Sequence, residues 1–149
     1  MRAIVQRVKN AQVSVNGNIV GQIGAGLLVY LGVGKDDREP DAAFIADKIA
    51  NLRIFADSSE KMNLSVKDAA GQVLVVSNFT LFGDCRKGRR PGFDLAAEPD
   101  CASRLYEKVV ELVKAEGLEV QKGVFAAYMD VTASNDGPVN FLIDSKKQF

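Results

Sequence analysis

A chain of 149 residues, 47% of them hydrophobic, is long enough to bury one core and carries no compositional mark of a disordered or fibrous polymer. Nineteen Lys and Arg balance nineteen Asp and Glu, so affinity for a polyanion would have to come from a local concentration of charge. The absence of histidine excludes a Ser-His-Asp triad, a Cys-His dyad and a His-ligated zinc, leaving hydrolytic chemistry to backbone donors, hydroxyls, carboxylates or the substrate itself.

The first residues alternate charged and apolar positions (Arg2, Arg7, Lys9) and form no signal-peptide core. The longest apolar run, residues 27–31, falls far short of the roughly 20 residues of a membrane span. The expectation is a cytoplasmic protein without a membrane segment. Cys85 and Cys101, with no second pair beside them, fit free thiols in a reducing compartment, a disulfide being the alternative.

Ile4 to Val8 and then Val13 and Val15 follow strand alternation up to Asn16-Gly17, a two-residue hairpin signal, after which residues 19–23 return. Gly24-Ala25-Gly26 turns the chain into Leu27-Leu28-Val29-Tyr30-Leu31, a run suited to a strand buried on both faces. Pro40 can open a helix, and Ala42, Ile45, Ile49 and Leu52 recur at helical spacing, which predicts a helix over residues 40–53. A polar loop at residues 57–60 precedes a short strand near residues 64–66, and Gly71 leads into Val73-Leu74-Val75-Val76, the most β-prone run present.

Pro99 opens a second helix with the stripe Ala102, Leu105, Tyr106, Val109, Leu112 and Val113, closed by Gly117. Three further strands are expected near residues 119–122, 128–133 and 139–143, with Asn135-Asp136-Gly137 as a tight turn between the last two. With no repeat or linker, residues 1–149 read as a single α+β domain. Its sheet should be mixed and mostly antiparallel, or barrel-like β layers, with two main helices on one side.

Ser77-Asn78-Phe79-Thr80-Leu81 leaves a buried strand with two hydroxyls, an amide and an aromatic ring in succession, where backbone N–H groups freed from the ladder could face a ligand. An ordinary strand end with hydroxyl caps is the simpler alternative. Thr80 has no evident base to activate it as a nucleophile. Gly137-Pro138 is a stiff turn offering two carbonyls, cis or trans. Arg86-Lys87-Gly88-Arg89-Arg90 packs four cations into five residues between Phe82 and Phe93, suited either to a phosphate-bearing single strand or to plain solvation. Asp36, Asp37 and Asp41 read as a solvated face and helix N-terminal charge.

Six landmarks in order resemble the D-aminoacyl-tRNA deacylase family from Met1 to Ser145: Gln6-Arg7-Val8, residues 51–55, residues 61–65, residues 77–81, residues 86–91 and Asn135-Asp136-Gly137-Pro138-Val139. The resemblance implies the family's fold and hydrolysis of the ester that joins a D-amino acid, or glycine, to the 3′ end of tRNA, with no cofactor or metal. It implies catalytic roles for Ser77, Phe79 and Thr80, and substrate contacts from Asn78, Met129, Gly137, Pro138 and Val139. It further implies tRNA contacts from Arg86, Lys87, Arg89 and Arg90, and a homodimer in which a cis Gly137-Pro138 enters the partner subunit's pocket to exclude L-amino acids. In a chain without histidine, main-chain N–H groups and the terminal 2′-hydroxyl of tRNA are the preferred catalytic groups over a Thr80 nucleophile. Asn78, Asn140 and Ala126 stand where the family usually has Gln, Thr and Gly. The first two are expected to shift a nucleotide contact and the support of the Gly-Pro turn, and they leave open a non-catalytic module that binds the tRNA 3′ end.

Overall fold

In the computed structural model, which describes residues 1–148, the chain opens with β1 (Arg2–Val15), β2 (Asn18–Ile23) and β3 (Gly26–Gly32). Helix α1 (Glu39–Asn51) and the small ribbon of β4 (Phe55–Ala56) and β5 (Met62–Leu64) lead to β6 (Gln72–Ser77) and a single 3₁₀ turn, Phe79–Phe82. A long loop then reaches α2 (Pro99–Ala115), β7 (Val120–Lys122) and β8 (Asp130–Asp144). The short strand expected at residues 64–66 lies two residues earlier, because Ser65 and Asp68 close a turn by side-chain hydrogen bonds there.

The main sheet is mixed. β1 pairs antiparallel with β2, β3 and β8, whereas β3–β6 and β6–β7 are parallel. β1 is one bent strand rather than two: its ladder with β8 shifts register on either side of Val8. The bend separates two apolar clusters. Ala3 and Val5 join Leu27, Val29, Val73 and Val75 under the two helices, while Val8, Ala11 and Val13 curl over the opposite face onto Leu28, Leu74 and Val76. That second cluster is what makes the sheet a nearly closed barrel. The helices follow their sequence patterns, with Ala42, Ile45 and Ile49 of α1 and Leu105, Tyr106, Val109 and Val113 of α2 buried in the first cluster. Gly117, at φ +82°, ends the second helix as expected.

Two expectations are overturned. Asn135-Asp136-Gly137 does not reverse the chain between two strands: residues 130–135 and 140–144 both pair antiparallel with β1, so β8 runs on in one direction and residues 136–139 bulge out of it. Asp36 is exposed and Asp41 lies in the first turn of α1, as expected, but Asp37 and Asp41 are buried rather than on a solvated face. The Met1 ammonium donates to Asp37 at 2.7 Å and to Ser145. The Ser145 hydroxyl donates to Asp41 at 2.7 Å, and the Lys146 ammonium bridges to Asp41 at 2.8 Å. Among the described residues no helix is long and apolar enough to cross a membrane.

Candidate functional site

Where β6 ends, the buried run of residues 73–76 gives way to half-buried Ser77 and Asn78, and the chain tightens into the 3₁₀ turn. Asn78 starts that turn as its cap. Its side-chain carbonyl accepts from the Thr80 N–H at 3.1 Å and also from the Thr80 hydroxyl. The Thr80 hydroxyl therefore spends its proton on an amide oxygen, which cannot take that proton away, and no base activates it. The Asn78 N–H donates to the Leu31 carbonyl at 2.8 Å. Among the described residues the Phe79 N–H and the Ser77 hydroxyl have no hydrogen-bond partner.

These groups form the polar rim of a cavity of about 740 Å³. Ser77, Asn78, Phe79, Thr80 and Met129 all line it. The remaining wall is largely apolar and was not read from the sequence: Tyr30, Val33, Pro99, Tyr106, Phe125 and Ala126 contribute. These residues come from β3 and the residue just after it, from α2 and from the loop before β8, and the buried ones, Val33 and Tyr106, fit an ordinary core pattern, so no local signal marks them as cavity wall. Tyr106 donates its hydroxyl to the Val75 carbonyl at 2.9 Å, and burial, with Glu107 adding to it, raises its pKa well above the usual phenol value. Burial likewise raises Tyr30. The thioether of Met129 packs on bare backbone, since a Cβ at Gly123 would lie 2.6 Å from its sulfur.

Gly137, Pro138 and Val139 do not line this cavity in their own chain. Gly137-Pro138 is a cis peptide, exposed on the bulge of β8. The bulge is held by residues that the sequence offered as landmarks but gave no bracing role. The Arg7 guanidinium reaches Asp136 at 3.0 Å and donates to the Ile54 carbonyl at 2.6 Å, while the Asn135 amide donates to the Arg7 carbonyl at 2.8 Å. Asn140, expected to support the turn, instead sits in the ladder opposite Gln6 with its side chain exposed. The turn is braced by long-range partners, Arg7 and Ile54, which residues 135–140 alone do not reveal.

Arg86, Lys87 and Arg90 line a second cavity of about 310 Å³ with Asp84, Gly92, Asp94 and Leu95; Arg89 is exposed but outside that lining. The loop is less cationic than its sequence. Asp84 takes Arg86 in a two-pronged ion pair, Nε to Oδ1 at 2.8 Å and Nη2 to Oδ2 at 2.7 Å. The side-chain hydrogen bond to Arg86 holds the Asp84 carboxyl far below the usual carboxylate range and raises Arg86 in turn. Lys87, Arg89 and Arg90 form no ion pair among the described residues. Cys85 and Cys101 are free thiols, the first exposed in this loop.

The chain is similar to known proteins along nearly its whole length. The family model described as D-Tyr-tRNA(Tyr) deacylase matches residues 4–144. Proteins called D-aminoacyl-tRNA deacylase in Fervidobacterium nodosum and Alkaliphilus metalliredigens are 58% and 59% identical over 149 residues, covering 100% of both chains. A solved structure titled c-Myc DNA Unwinding Element Binding Protein superposes with a TM-score of 0.90 at 38% identity, covering 97% of this chain and 98% of its own. A probable eukaryotic D-amino acid tRNA deacylase shares the fold, with a TM-score of 0.82 at 18% identity and coverage of 95% and 97%. Identity this high along the entire length, with the cavity rim and the braced bulge inside the matched span, means that the chain belongs to the D-Tyr-tRNA(Tyr) deacylase family.

Proposed function

We propose that the chain hydrolyses the ester bond of D-aminoacyl-tRNA, releasing the free D-amino acid and tRNA, and that the cavity rimmed by residues 77–80 is where it does so. The Phe79 N–H carries this reading: it is a main-chain donor without a partner among the described residues, set at the polar edge of an otherwise apolar cavity. Such a donor stabilises the negative charge that develops on the ester carbonyl oxygen when water attacks the carbonyl carbon. The bond from that carbon to the 3′ oxygen then breaks. The 3′ oxygen takes up a proton, and the hydroxyl from water stays with the amino acid. The substrate's own 2′-hydroxyl is the group placed to relay the proton, with the Ser77 hydroxyl beside it, because Thr80 is committed to Asn78.

Selection against L-amino acids falls to Gly137-Pro138 of a second copy. In support, this pair is exposed, lies away from its own cavity and is braced by Arg7 and Asn135. Among the described residues β8 pairs with β1 alone, and Leu142, 67% exposed, sits on it beside Phe141. An unpaired strand edge with exposed apolar side chains suits a homodimer. Lys87, Arg89 and Arg90 are the tRNA-binding cations, with Arg86 orienting the loop through Asp84. Removal of glycine from non-cognate tRNA, chiral proofreading and a cytoplasmic location follow from the same substrate.

Purified protein, with chelator present, should release D-tyrosine from charged tRNA and leave L-tyrosine in place. Glycine on a non-cognate tRNA should also be released. Failure to release D-tyrosine while still binding the tRNA would overturn the enzymatic reading in favour of an end-binding module.

A further inference from the structure

Phe79 at the rim of the large cavity and Phe93 on the segment between the two cavities pair their rings, which neither the proposed hydrolysis nor the charge of the loop uses. Gly92, Asp94 and Leu95 line the small cationic cavity, and Ala96 and Ala97 line the large one. Phe93 lies on the divide. Its ring meets that of Phe79 edge-on, with centroids 5.0 Å apart and planes at 64°. Both rings are open to solvent, Phe79 at 59% and Phe93 at 39%. Burial therefore does not explain them.

The pair is nevertheless held in place. Reciprocal hydrogen bonds between the Asp84 and Gly92 main chains, 2.7 and 3.0 Å, clamp the neck of the basic loop. Backbone at Gly83 approaches so closely that a Cβ there would lie 3.3 Å from the Phe93 ring. Ala96 N–H donates to the Phe93 carbonyl at 3.0 Å, and Lys35 N–H to the Leu95 carbonyl at 3.0 Å. An exposed aromatic face on a clamped backbone, next to a cavity lined by Lys87 and Arg90, has the parts of a single-strand binding surface: a flat ring for a base and cations for its phosphate.

We propose that Phe93, buttressed by Phe79, is a stacking platform for a nucleobase of the single-stranded 3′ end upstream of the esterified nucleotide. The phosphate joining the two nucleotides then falls toward Lys87 and Arg90. This inference rests on the proposed function for the identity of the strand. It adds that binding is built on stacking as well as on charge, and that two cavities joined across one aromatic divide hold successive parts of one ligand.

The test is binding of two short single-stranded RNAs of equal length and charge, one with its bases and one abasic, read by fluorescence anisotropy on the full-length protein. Phe93→Leu should weaken the base-bearing strand about tenfold, within the range expected for one stacked base. It should alter the abasic strand far less. Arg90→Ala should weaken both strands alike, and Phe93→Trp should restore the base-bearing strand. Equal weakening of both strands by Phe93→Leu would mean that the ring only shapes the loop, and no weakening of either would mean that it does nothing; each result overturns the platform. Because binding needs no turnover, a protein that stacks but does not deacylate refutes the proposed function alone. One that deacylates with Phe93→Leu binding unchanged refutes this inference alone.

Discussion

Single hydrogen bonds divide the roles at the rim of the large cavity. The Thr80 hydroxyl donates to the Asn78 carbonyl and is no nucleophile in waiting, so Thr80→Ala should lower deacylation by no more than about tenfold. Removing a true nucleophile costs on the order of 10⁴-fold or more. Single-turnover rates on D-tyrosyl-tRNA decide the matter, and a loss of that larger size in a folded variant would restore the nucleophile. Ala126 makes a separate case. It lines the same cavity at φ +60°, where a side chain pays a left-handed penalty that glycine avoids. Ala126→Gly should raise stability by about 0.5–1 kcal/mol in urea unfolding, the net of that relief and glycine's greater entropy when unfolded.

The strand β8 is the element on which the most depends, because it serves as both an edge and a carrier for the protruding Gly137-Pro138. Its bulge persists because Arg7 ties Asp136 to the Ile54 carbonyl and Asn135 ties the far side to β1. Gly137 sits at φ +121°, and a Cβ there would lie 2.7 Å from Val139 Cγ2. Gly137→Ala should therefore push the bulge out of place without touching the large cavity of its own chain. The expected outcome is release of L-tyrosine as well as D-tyrosine from charged tRNA. Unchanged rejection of L-tyrosyl-tRNA would remove the turn from chiral selection.

At the scale of the whole molecule, Met1, Ser145 and Lys146 meet the start of α1 in one ionic network around buried Asp37 and Asp41. Burial by itself would raise the Asp41 carboxyl, but hydrogen bonds from Lys146, Ser145 and the Arg38 N–H, with the charge of the N-terminus, bring it down to about 2. A carboxyl depressed in the folded state stabilises above its unfolded value, near 3.9, and the benefit fades as pH falls toward 2. Urea midpoints measured from pH 5 to pH 2 should thus fall less steeply in Asp41→Asn than in the parent. Surface charge has its own signature. With Arg86 held by Asp84, three cations remain for phosphate, and the log–log salt slope for a single-stranded end should be roughly −2. The four cations of the loop sequence would give about −3; filter binding at several salt concentrations separates the two values.

Local information was enough for much of this protein. Period and punctuation delivered both helices, the buried strands at residues 27–31 and 73–76, and the hydroxyl-rich strand end at Ser77 to Thr80, because those patterns depend on neighbours within a few residues. A turn and a bulge, by contrast, look alike from within residues 135–139; only pairing of both flanks with β1 distinguishes them. Arg86 counted as a free charge until Asp84 was seen to hold it, and Asp41 looked solvated until Ser145 and Lys146 folded back over it. The composition and motif order thus determined the family and the kind of chemistry available to a chain without histidine. Which cations are free, which donors are unpaired and where the Gly-Pro pair points were decided by tertiary structure, since each depends on a partner far away in sequence.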